Sequence, residues 1–234
     1  MNEREVCIVT GASRGIGKAI AYKLPEEQKD VMLFGRDVEA LEQTQKLVKG
    51  KGVESEFFAG DVGDEEFVNS SVKEILNKYG RIDVLVNNAG LGIFKEVVDA
   101  SLDEFKQQVN ANLYGIFNFS KAVLNNMIER KSGAIINIAS LAGKNVFAGG
   151  AMYTATKHAV KGFTGSLMQE VRKYDIKVAA VFPGSVETDF HSGASPGSPK
   201  KLMPGDVAET VSLIIKLPQR ALASEIDIRP LNPK

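Results

Sequence analysis

At 234 residues, 44% of them hydrophobic, the chain suits one large α/β domain over residues 1–234 with a sizeable core. Lys plus Arg and Asp plus Glu both number 29, so no global charge recruits nucleic acid or an anionic membrane. No apolar run approaches a bilayer span, and the acidic start Met-Asn-Glu-Arg-Glu lacks a signal-peptide pattern. The single cysteine, Cys7, excludes an intrachain disulfide and reads as a small buried thiol, and a cytoplasmic setting follows as the expectation. With His158 and His191 as the only histidines, no metal site is expected.

Val6 to Val9 is a short β-branched run of the kind buried on both faces of a parallel sheet. Gly11, Gly15 and Gly17 follow, and from Gly15 the apolar residues Ile16, Ala19 and Ile20 fall at helical spacing. A strand turning sharply into a helix leaves unpaired N–H groups and a positive dipole end at one point, which suits a diphosphate. Thr10, Ser13 and the N–H groups around Ile16 are the expected donors, while Lys18-Ala19 in place of Lys-Ser or Lys-Thr argues against a triphosphatase loop.

Pro25 predicts that the first helix ends near Leu24. Strands are then expected at Val31–Phe34, Val53–Ala59, Ile82–Val86, Ala134–Ala139, Val178–Phe182 and Glu225–Ile228. Helices are expected at Val38–Val48, from Asp64 to Tyr79, Leu102–Glu129, Met152–Tyr174 and Val207–Leu217. This alternation implies a doubly wound Rossmann-type fold: a parallel seven-stranded sheet in the order 3-2-1-4-5-6-7, with helices on both faces. The crevice then lies at the carboxyl ends of the strands, where Gly11, Gly35, Asp61, Asn87, Ser140 and Pro183 fall, and residues 185–204 form a lid over it.

A nicotinamide dinucleotide without a 2′-phosphate asks for a carboxylate at the end of the second strand. That strand ends Phe34-Gly35-Arg36, Arg36 and Arg14 can both fork onto a phosphate, and Asp37 reads as the cap of the next helix. NADP(H) is therefore the expected cofactor. Asp61 is expected to accept from the adenine amino group with Val62 against the ring, a turn or helix-start role being the alternative.

Ser140 ends a strand, and Tyr153 and Lys157 sit four apart on one face of the next helix. Bringing a phenol from its ordinary pKa of about 10 down to about 7 takes roughly 4 kcal/mol. One ammonium at about 4 Å supplies a similar amount at an effective dielectric of about 20. Lys157 is thus expected to depress the Tyr153 phenol, so that Tyr153 handles the proton while a dinucleotide delivers hydride.

With these motifs the chain resembles the classical short-chain dehydrogenases/reductases, from about Glu5 to Ile228. The family's glycine motif is Thr10-Gly-Ala-Ser-Arg-Gly-Ile-Gly17, its structural motif Asn87-Asn-Ala-Gly90, and its tyrosine motif Tyr153-Thr-Ala-Thr-Lys157. The resemblance implies Tyr153 as general acid, Lys157 also on the nicotinamide ribose, Ser140 on the carbonyl, and Asn112 helping to hold a relay water near Lys157. It further implies cofactor contacts from Asn88, Ala89, Gly90, Pro183, Gly184, Val186 and Thr188. It also implies a homodimer or homotetramer through the long helices, with Phe119 and Phe163 as candidates for the seam.

Leu91–Phe94, Leu141–Gly150 and Val186–Met203 are expected to meet a small carbonyl or alcohol. Tyr114 and Phe117 read as core or helix-interface residues, His158 as packing, and His191 as a lid residue. The general look is closest to reductases of 3-oxoacyl groups on acyl carrier protein. Arg130, Lys131 and Arg172 are candidates for a carrier patch, with helix C-terminal charge as the preferred alternative. The ending Ser224-Glu-Ile-Asp-Ile-Arg-Pro230 lacks the glycine-rich finish common among those reductases. NADP-dependent alcohol, hydroxy-amino-acid or sugar dehydrogenation, and a non-enzymatic dinucleotide-binding regulator, are the other readings.

Overall fold

The computed structural model describes residues 4–188 and 201–232. Seven parallel strands form one sheet: β1 (Val6–Thr10), β2 (Asp30–Gly35), β3 (Ser55–Ala59), β4 (Val84–Asn87), β5 (Gly133–Ile138), β6 (Ile176–Pro183) and β7 (Glu225–Ile228). Their order, β3-β2-β1-β4-β5-β6-β7, is the expected one. The helices are α1 (Gly15–Lys23), α2 (Val38–Lys49), α3 (Glu65–Tyr79), α4 (Leu102–Val109), α5 (Gly115–Arg130), α6 (Ala151–Val171) and α7 (Pro204–Lys216).

Strand residues alternate between two buried cores. Cys7, Val9, Val31, Leu33, Val84 and Val86 face the layer of α1, α2 and α7, where Ile20, Leu41 and Val211 meet them. Val6, Ile8, Met32, Phe34 and Leu85 face α3, α5 and α6, against Val72, Phe119 and Leu167. Because both faces are covered, the strands read as continuous apolar runs. Helix starts follow local chemistry: Asp37 caps α2 by accepting from the Ala40 N–H, and Asp64 caps α3 through the Glu66 and Phe67 N–H groups. Pro25 sits in a 3-10 turn, Leu24–Glu27, that stops α1 at Lys23.

The expected helix over Leu102–Glu129 is one helical stretch interrupted by a π-turn at Asn110–Tyr114. Phe119 lies in the core and not in a seam: it is fully buried and packs edge-on against Phe34 at 4.8 Å between ring centroids. Tyr114 and Phe117 are not core, since both rings are exposed, and Phe117 meets Phe163 of α6 at the interface of the two helices. Helices run back against the strands, so the carboxyl ends of α5 and α6 lie at the amino rim of the sheet. There Arg130 donates to the Ile82 carbonyl and pairs with Asp83, Lys131 is the left-handed C-cap of α5, and Arg172 donates to Gln169. Within one chain the supposed carrier patch and the crevice therefore occupy opposite rims.

Phe119→Ala should cost about 3–5 kcal/mol of unfolding free energy, because it removes one ring of the Phe34 stack. Urea denaturation of the two proteins measures it.

Candidate active site

A cavity of about 710 Å³ opens along the carboxyl ends of β1 to β6. Its first wall is the turn between β1 and α1. Gly11 and Gly15 adopt φ of +66° and +53°, and a Cβ on Gly17 would stand 2.1 Å from the Gly11 carbonyl oxygen and 2.5 Å from Asn88 Nδ2. Asn88 holds the turn from the other side by donating to the Thr10 and Gly11 carbonyls. Thr10, expected as a phosphate donor, is buried instead, and its hydroxyl accepts from the Asn88 and Ala89 N–H groups at 2.9 and 3.0 Å. It ties β1 to β4.

The amino end of α1 carries no side-chain cap and no acid in its first turn, in contrast to α2, α3 and α4, each capped by its own Asp or Ser. Ser13, Arg14, Gly15 and Ile16 line the cavity beside this end, and Arg36 follows from β2. Both guanidiniums are solvent-exposed, and among the described residues neither is ion-paired to a carboxylate. Asp61 also lines the cavity, with its carboxylate accepting from the Gly63 N–H and from Asn110 Nδ2. Val62 beside it is seated on Gly115, where any Cβ would meet Val62 Cγ2 at 2.6 Å.

The second wall comes from β4, β5 and α6. Ser140, Tyr153 and Lys157 converge there with Ala89, Gly90, Pro183, Gly184, Val186 and Thr188. The Thr188 methyl group lies 3.2 Å from where a Gly15 Cβ would stand, which brings the loop after β6 over the glycine turn. Gly17 and Asn112 are the two sequence-selected residues that support the cavity without lining it. Asn112, on the π-turn, is fully buried; its amide bonds to the Leu91 N–H and carbonyl at 2.7 and 2.8 Å and to Thr156 at 3.0 Å. It fixes the Gly90–Leu91 corner next to Lys157. Residues 189–200, including His191 and most of the expected lid, lie outside the described residues.

Tyr153 and Lys157 depart from expectation in their electrostatics. Burial pushes the Tyr153 phenol up to about 12, opposed by a hydrogen bond with Ser140. Burial also brings the Lys157 ammonium down to about 8. Lys157 Nζ donates to the Ile138 carbonyl at 3.1 Å and stands 5.7 Å from the centre of the Tyr153 ring. Burial thus opposes the depression of the phenol expected from spacing, because the same dry wall penalises both charges. Tyr79, the tyrosine closing α3, is no alternative: its hydroxyl donates to Glu56, away from the cavity lining.

Phe94, Phe147, Gln107, Asn110 and Asn145 line the cavity without having been singled out individually. Periodicity carries no signal for loop side chains, and only the apolar look of residues 91–94 and 141–150 pointed that way.

The open helix end, glycine turn and Ser-Tyr-Lys wall define a Rossmann-type dinucleotide oxidoreductase. The family model described as short chain dehydrogenase matches residues 5–198, and the chain belongs to that family. An uncharacterised oxidoreductase of Staphylococcus aureus (strain USA300) is 35% identical over 227 residues, covering 97% of each chain. An alcohol dehydrogenase of the archaeon Thermococcus sibiricus, solved with 5-hydroxy-NADP, is 33% identical with a TM-score of 0.91, covering 98% of this chain and 97% of that one. A metagenomic short-chain oxidoreductase solved with NADP is 36% identical with a TM-score of 0.87 over 97% and 98% of the two chains. A xylitol dehydrogenase solved with NAD+ is 30% identical, with a TM-score of 0.87 over 97% and 98%. No helix among the described residues is long and apolar enough to cross a membrane.

The folded chain binds the Lys157 proton more weakly than the unfolded chain, whose value is near 10.5, so the buried ammonium opposes folding below about pH 8. That opposition fades as pH rises from about 8 towards 10.5. Lys157→Met should therefore be more stable than the parent by about 2–3 kcal/mol at pH 7, and the gap should close near pH 10.5. Urea unfolding at the two pH values tests this.

Proposed function

We propose that the chain is an NADPH-dependent reductase that converts a small-molecule carbonyl to a secondary alcohol. The observation that carries this is Ser140 and Tyr153 hydrogen-bonded side by side in the same cavity as the uncapped amino end of α1. The residues present fit a dinucleotide. The first-turn N–H groups of α1 and Ser13 would hold the diphosphate. Arg14 and Arg36 would hold a 2′-phosphate, and β2 ends at Gly35 with no acid to repel it. Three of the similar structures hold NADP-type cofactors and one holds NAD+, so the comparisons support NADP(H), and these two guanidiniums supply the physical reason for the phosphorylated form.

A nicotinamide dinucleotide held by these residues would supply the hydride for the reduction. Tyr153 gives its phenol proton to the carbonyl oxygen, and a phenol kept neutral by burial is already in the state a donor needs. Ser140 orients that oxygen and holds the phenol by the hydrogen bond they share. Lys157, held beside the ring by the Ile138 carbonyl, favours the phenolate left behind through its positive charge. Asn112 keeps Gly90 and Leu91 against Lys157 and so acts as a positioning residue. Oxidation of an alcohol would run the same proton step backward, with the phenolate of Tyr153 as the base. Carrier-linked 3-oxoacyl substrates lose support with Arg130 paired to Asp83 at the far rim. The exposed rings of Tyr114 and Phe117 suit burial against a second copy of the chain, and we propose a homodimer or homotetramer working in the cytoplasm.

Tyr153→Phe should lower kcat for carbonyl reduction by about 10²–10⁴-fold with KM little changed, followed as NADPH absorbance. Activity as high as the parent's would reject Tyr153 as the acid. Arg14→Ala and Arg36→Ala should each weaken NADPH by about 10–100-fold and leave NADH nearly untouched, measured by fluorescence titration.

A further inference from the structure

The two halves of the cavity differ in chemistry. Its charged lining residues Arg14, Arg36 and Asp61 come from the loops after β1, β2 and β3. On the β4–β6 side the described lining residues bear one charge, Lys157, which is buried and turned to the Ile138 carbonyl. What that side offers is rings. Phe94 meets Tyr153 edge-on with ring centroids 5.1 Å apart, and Phe147 continues the row 6.1 Å beyond Phe94.

The row is built, not incidental. A Cβ on Gly150 would stand 2.5 Å from the Phe147 ring, so this glycine clears the space in which Phe147 lies, and Gly149 before it takes φ +74°. Even so, Phe147 stays 48% exposed and the neighbouring Val146 80% exposed, both lining the cavity. Apolar surface presented to a cavity through side chains positioned at this cost gains by being covered. A carboxylate or phosphate on an occupant of the β4–β6 side would lose its water there, where the one cation among the described lining residues is Lys157, buried and turned to the Ile138 carbonyl.

We infer that the carbonyl substrate is uncharged and carries an aromatic or comparably bulky apolar substituent, received by Phe94 and Phe147 beside Tyr153, with Phe94 selecting for it. This rests on the carbonyl-reductase reading above. Phe94 is the selecting residue because its ring touches both the donor tyrosine and the outer ring, so the substituent and the carbonyl are registered by the same side chain.

The test compares three carbonyls with NADPH: 1-phenylpropane-1,2-dione, its charged counterpart phenylpyruvate, and butane-2,3-dione. The aryl diketone should exceed phenylpyruvate in kcat/KM by about a hundredfold or more. Phe94→Ala should reduce the ratio of aryl diketone to butanedione by about tenfold or more, through KM and not kcat, with Phe94→Leu recovering part of it. Thermal midpoints of both variants establish that they fold. Equal turnover of phenylpyruvate, or an equal loss for both diketones in Phe94→Ala, overturns the inference while leaving the reductase reading standing. Reduction of none of the three, with NADPH still bound by fluorescence, rejects the reductase reading and this inference with it.

Discussion

The site depends on how closely two backbones approach at the top of the sheet. Gly17 can back onto the Gly11 carbonyl only because it has no side chain, and Asn88, from the end of β4, bridges the same turn. Thr10 closes the contact by accepting two N–H groups from the residues after β4. These bonds set the distance between the uncapped end of α1 and the corner that carries Gly90, and Asn112 fixes that corner against Lys157. The cofactor wall and the proton-handling wall are thus parts of one bonded framework.

Much of the framework was readable from the chain. Strands buried on both faces leave continuous apolar runs, so Val6–Val9 and Val31–Phe34 announce themselves, and the crossover rule orders them. Pro25, Asp37 and Asp64 mark helix boundaries through local backbone chemistry. The π-turn at Asn110–Tyr114 left no such mark, since an extra residue in a helical turn alters no periodicity over so short a span. Phe119 and Phe117, two residues apart, looked alike as candidates; only the third dimension sends one into the Phe34 stack and the other to solvent.

The electrostatic state of the site was the least legible part. Spacing alone puts Tyr153 and Lys157 on one helical face and invites a charge pair. Burial acts on each group separately: it raises the phenol to about 12 and lowers the amine to about 8, and the amine turns to the Ile138 carbonyl. Ser140, by contrast, is where the sequence placed it, at the end of β5, because a strand end needs no tertiary information to be located.

The loops after β1 and β2 carry the guanidiniums and those after β4 and β5 carry the rings, so the charged and the aromatic parts of the cavity lie on separate pieces of chain. Exchanging residues 91–94 and 145–150 for those of a homologue would retune what is consumed without disturbing which reductant is drawn on.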